Sequence, residues 1–102
     1  MRVLYHRGED IGAETIVKEG VINEKSRPLI LAGEDRIVFD AIHAVEFYRL
    51  NALGTMIKVQ NRRDTIYLVV PRIYFDIGTG FVIINTLATR KLKRLLESVK
   101  ID

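Results

Sequence analysis

The sequence predicts a mostly β domain that ends in one α-helix. Three observations predict it. Short apolar runs recur at close spacing, and turn residues separate them. The last segment alone carries apolar residues at helical period. The 102 residues and 48% apolar content suit one packed core and not two. One domain over residues 1–102 is expected, with its helix at about 86–100.

Met1 to His6 reads as a first strand, and Glu14 to Ile22 as a second with Gly20 marking a bulge. Pro28 precedes Leu29-Ile30-Leu31-Ala32, and Gly33-Glu34-Asp35 turns the chain into Arg36-Ile37-Val38-Phe39. Residues 41–50 fit two templates. Val45 and Phe47 alternate with Glu46 and Tyr48 as in a strand, yet Ala41, Ala44, Val45 and Tyr48 would share a helix face. The flanking strands favour strand. Thr55 to Gln60 and Thr65 to Val70 form a hairpin across Asn61-Arg62-Arg63-Asp64. Ile73, Phe75 and Ile77 alternate with Tyr74 and Asp76. Gly78-Thr79-Gly80 interrupts that strand before Phe81-Val82-Ile83-Ile84.

The helix is the clearest element. Asn85 or Thr86 caps its start, because either side chain accepts from a free backbone N–H. Ala88, Leu92, Leu95, Leu96 and Val99 form one apolar stripe.

Composition narrows the function classes. With no cysteine, a disulfide framework, a thiolate metal site and a cysteine nucleophile are excluded. The longest apolar run is too short for the roughly 20 residues of a membrane span, and no secretory signal is visible. A cytoplasmic protein is expected. Ser26 and Ser98 lie outside any strained nucleophile turn. His6 and His43 lack metal or triad spacing. Gly78-Thr79-Gly80 lacks the lysine and helix of a phosphate loop. The expectation is therefore no enzyme, no cofactor and no metal. The net charge of +3 resides in the segment from Thr86 onward, where five basic residues face two acids.

The order of strands and final helix resembles the pleckstrin-homology-like superfamily, in its bacterial and GRAM-like branch. Leu29 to Phe39, followed by Asp40-Ala41-Ile42-His43-Ala44-Val45-Glu46-Phe47, carries most of the resemblance. It implies two antiparallel sheets of seven or eight strands, forming a partly open barrel capped by the helix. It implies a non-catalytic interaction module, mediating protein–protein association or self-assembly. Lipid-binding members hold phosphates with a Lys and a spaced Lys/Arg-x-Arg. Lys18, Lys25 and Arg27 match that pattern loosely, and Arg72 would lie at the same end. Glu19 and Glu24 stand among them, so anionic-headgroup binding is a secondary alternative.

Two further partner readings come from the residues themselves. Arg90, Lys91, Lys93 and Arg94 would dock nucleic-acid phosphates, but no aromatic residue interleaves with them to stack bases. Ile73 to Ile84 is more apolar than a half-buried strand needs. Tyr74, Phe81 and Ile83 are accordingly the candidate contacts of a homo-oligomer.

Overall fold

The computed structural model describes residues 1–12, 17–50, 54–75 and 81–101 and, at Leu50, 73–75 and 81–83, the backbone. Nine strands and one helix are present among them. They are β1 (Arg2–Arg7), β2 (Lys18–Ile22), β3 (Leu29–Gly33), β4 (Arg36–Phe39), β5 (Ile42–Leu50), β6 (Gly54–Asn61), β7 (Asp64–Val69), β8 (Pro71–Phe75), β9 (Phe81–Ile84) and α1 (Thr86–Ser98).

Seven strands form one antiparallel sheet in the order β4-β3-β2-β1-β7-β6-β5, and β8 and β9 form a separate two-stranded ribbon. The expected two antiparallel sheets of seven or eight strands are thus corrected to one seven-stranded sheet and a two-stranded ribbon. The reason lies in β1. Residues Arg2 to Tyr5 pair with β2, and Leu4 to Arg7 pair with β7, so one strand joins both wings through its two edges. The N-terminal strand lies at the centre of the sheet.

The burial of β1 follows from that position. Val3, Leu4 and Tyr5 are all buried, because successive side chains of a strand enter opposite faces. Val3 and Tyr5 join an inner core with Ile22, Leu31, Phe39, Ile57, Leu68 and the helix residues Leu92 and Leu96. Leu4 joins a smaller outer cluster with Met56, Tyr67 and Val69. Ile11, Val17, Tyr48 and Ile84 pack over this outer cluster.

The sheet curls so that edge strand β4 reaches the β6–β7 corner at Asn61. That side chain donates from Nδ2 to the Val38 carbonyl at 3.0 Å and accepts from the Ala41 N–H at 3.2 Å. The Arg62 N–H adds a bond to the Ala41 carbonyl at 2.9 Å. A nearly buried amide thus links β4 to the β6–β7 corner, and the result is a half-barrel.

The open side faces α1. Asn85 caps the helix, its side chain accepting from the Ala88 N–H at 3.0 Å. The Val70 backbone ties down the same turn: its carbonyl accepts from Asn85 N–H at 2.8 Å, and its N–H donates to Thr89 Oγ1 at 3.1 Å. Beyond the helix, the Ile101 N–H reaches the Ile42 carbonyl at 2.9 Å. Leu92 and Leu96 are fully buried, while Ala88, Leu95 and Val99 pack partly buried against the same core.

Other expectations change in detail. Gly20 pairs in register with Val3 and Gly33 and makes no bulge. A Cβ there would stand 2.8 Å from Leu31 Cδ2, and one on Gly33 would stand 2.7 Å from the Glu19 carbonyl oxygen. Both glycines permit close approach of strands. The second strand starts at Lys18, with 13–16 outside the described residues. Residues 42–50 are strand, and the bulge in their ladder falls at His43, between Ile42 and Ala44. The apolar stretch from residue 71 is a hairpin ribbon, whose connection at 76–80 lies outside the described residues.

Candidate functional site

Concave regions open on the described surface, and two of them bear on function. The first is a groove of about 370 Å³ between the β5–β6 corner, the end of β9 and the first turns of α1. Phe47, Ile84, Thr55 and Thr89 line it, with Arg90 at its rim. Phe47 lies on the same face of β5 as Val45, which packs into the inner core. Phe47 is nevertheless 47% exposed. The Lys93 ammonium sits 4.8 Å from the centre of the Phe47 ring, a cation–π contact, and bonds Glu97 at 2.9 Å. Leu87, on the first turn of α1, is 77% exposed. The groove is therefore apolar at its walls and weakly cationic at its edge.

The second region is the mouth of the half-barrel, about 290 Å³, lined by Arg7, Arg36, Asp40, Asn61, Arg62 and Asp64. Arg7 bridges Asp64 at 3.1 Å. Arg62 clamps both oxygens of Asp40, which holds that carboxyl below its ordinary range. Arg62 adopts φ 57° in a two-residue turn, a conformation the fixed Asn61–Asp64 pairing imposes. Two of the three cations in this mouth are therefore matched by acids.

The residues singled out from the sequence are dispersed. Lys18 Nζ lies 2.9 Å from Asp35 and 3.7 Å from Glu34, so two carboxylates already compensate it. Lys25 and Arg27 occupy the β2–β3 turn at the other end of β2, roughly 15 Å away by strand rise. Arg27 folds back on its own turn and donates to the Glu24 and Ser26 carbonyls at 2.8 and 2.7 Å. Arg72 is exposed on β8. Tyr74, Phe81 and Ile83 lie on β8 and β9, and their side chains are outside the described residues.

The histidines and the basic helix face are placed as follows in the fold. His6 Nε2 lies 3.0 Å from the Asp10 carbonyl, and its ring stacks 6.3 Å from Tyr67. His43 projects from its bulge into solvent. On the helix, Lys91 pairs with Glu24 at 3.5 Å, which consumes part of the basic face. Among the described residues no group of three His, Asp or Glu converges as a metal site, and no helix is long and apolar enough to cross a membrane.

Sequence reasoning missed the groove. The missing piece is Phe47, which alternation places on the core face but which the helix leaves half uncovered. It also missed the contact of Tyr5 with Asp35, thirty positions away, for which no local pattern exists. No family model, curated protein or solved structure matches the chain.

Proposed function

We propose that the chain is a non-catalytic, pleckstrin-homology-like interaction module that mediates protein–protein association, with self-assembly as its main expression. The curled antiparallel sheet followed by a C-terminal helix over its open side supports the family reading. The observation that carries the functional reading is the apolar surface around the helix start. Phe47 is large and exposed and lines the groove together with Ile84, and Leu87, next in the chain to the groove residue Thr86, is also exposed. An exposed aromatic residue at the wall of an apolar groove is a feature of association sites. Residues 1–85 carry equal numbers of basic and acidic residues, so repulsion opposes assembly weakly.

Light scattering on a size-exclusion column tests the reading. The wild type is expected to weigh a multiple of the 11.7 kDa chain at high micromolar concentration. Leu87→Asp and Phe47→Asp are expected to lower that mass while keeping the wild-type circular dichroism. A wild type of single-chain mass at every concentration would overturn self-assembly.

A further inference from the structure

The β8–β9 ribbon stands apart from the seven-stranded sheet. Among the described residues each of its strands pairs only with the other. A lone two-stranded ribbon is marginal in water, because each strand leaves one row of N–H and C=O groups unpaired. The two edges differ. The β8 edge carries Pro71, which has no N–H, and Arg72, a charge; it also lies against β1. The β9 edge, Phe81-Val82-Ile83-Ile84, carries neither proline nor charge. Soluble proteins blunt an exposed edge with such residues. Here the devices are present on β8 and absent from β9.

The chemistry around β9 selects its occupant. No charged residue lies between Asp76 and Arg90, in a chain where 28% of residues are charged. A charged partner strand would lose solvation there with no countercharge to meet. An identical uncharged strand meets no like-charge repulsion, even though the whole chain carries +3. Two β9 strands related by a two-fold axis run antiparallel, which makes the edge complementary to itself. The ribbon is also held at its end: Ile84 packs in the outer cluster, 3.2 Å from where a Cβ on Gly54 would stand. Such anchoring fixes the edge before a partner arrives and reduces the ordering cost of pairing.

We propose that β9 is the dimerisation edge of this protein: the β9 strands of two copies pair antiparallel and join their ribbons into one four-stranded sheet. This rests on the self-assembly reading above and names its partner and its contact. In a strand, neighbouring N–H groups point to opposite edges, so β9 offers half of its donors to β8 and half to the second copy.

Amide hydrogen exchange, read with light scattering on the full chain, tests the proposal. In concentrated wild type, both Val82 and Ile83 amides are expected to exchange slowly. On dilution to the monomer only one of the two should stay protected. Val82→Pro and Ile83→Pro each delete one donor. The one that deletes the outward donor is expected to give a folded protein of single-chain mass, and the other to disrupt the ribbon. Assembled wild type with one fast amide in this pair would overturn the proposal, as would an assembly that survives both proline changes; self-assembly itself would then stand. A wild type that never assembles would overturn both.

Discussion

Tyr5 and Asp35 hold each other through two hydrogen bonds: the phenol donates to Asp35 Oδ2 at 3.1 Å and accepts from the Asp35 N–H at 3.0 Å. Tyr5 lies in the central strand, and Asp35 lies in the β3–β4 turn two strands away. Lys18 closes the cluster from β2. The turn therefore hangs on a buried phenol, and Gly33 beneath it has no room for a side chain. Tyr5→Phe keeps the ring packing and removes both bonds, leaving the Asp35 N–H unpaired. The expected cost is about 1–3 kcal/mol, read from the urea midpoint with an unchanged slope.

The same cluster sets the response to pH. The hydrogen bond from Lys18, then that from Tyr5, lowers the Asp35 pKa, and Arg62 lowers that of Asp40. Both carboxylates bind protons less tightly folded than unfolded. Their contribution is present above the unfolded carboxylate pKa of about 4 and is lost as pH falls through the lowered folded values. Burial raises the Tyr5 pKa, and the Asp35 contact raises that of Lys18. Their contribution is full below an unfolded pKa of about 10 and is lost as pH rises through the folded values. Denaturation midpoints are expected to fall at both extremes. The acid loss should be smaller in Asp40→Asn and the alkaline loss smaller in Tyr5→Phe; unchanged limbs would refute the assignment.

The helix shows what was legible in the sequence. Its apolar period identified Leu92 and Leu96 as core, because an amphipathic stripe is a local pattern that one buried face explains. The strand at 42–50 was legible through its neighbours. The continuity of the sheet was not, since the double pairing of β1 joins residues that no local period connects. The basic residues Lys18, Lys25 and Arg27 are close in sequence, but β2 carries them to opposite ends of the sheet. The acids beside them in sequence pair elsewhere, Glu19 with Arg2 and Glu24 with Lys91, while Lys18 is matched by Asp35 from the β3–β4 turn. The groove escaped notice because exposure of Phe47 depends on where the helix starts, not on its own strand pattern.

Burial ranks the helix positions. Leu96 is wholly buried, whereas Leu95 packs partly exposed at the edge of the core. Leu96→Ala should cost about 2–5 kcal/mol, and Leu95→Ala clearly less, because a cavity near the surface is filled by water or by relaxation. Thermal melts of the two variants check the order. Equal losses would mean that the helix presents a different face from the one described.

Thr89 poses the last question, whether a hydrogen bond or packing governs the start of the helix. Its side chain is buried, and its Oγ1 is the acceptor for the Val70 N–H at 3.1 Å. Val70 is the single residue between β7 and β8, so this bond fixes the angle at which the ribbon leaves the sheet. Thr89→Val preserves the shape and adds apolar surface, but it strands a buried N–H at a cost of about 1–3 kcal/mol. Thr89→Ser keeps the acceptor and loses one methyl, about 0.8 kcal/mol. If the hydrogen bond dominates, the valine variant is the less stable one and its Val70 amide exchanges faster. The serine variant then retains most of the wild-type protection. If packing dominates, the order reverses, and the helix start is held by its apolar contacts and not by this bond. The buried environment favours the first outcome, since an unpaired N–H there has no water to replace its lost partner.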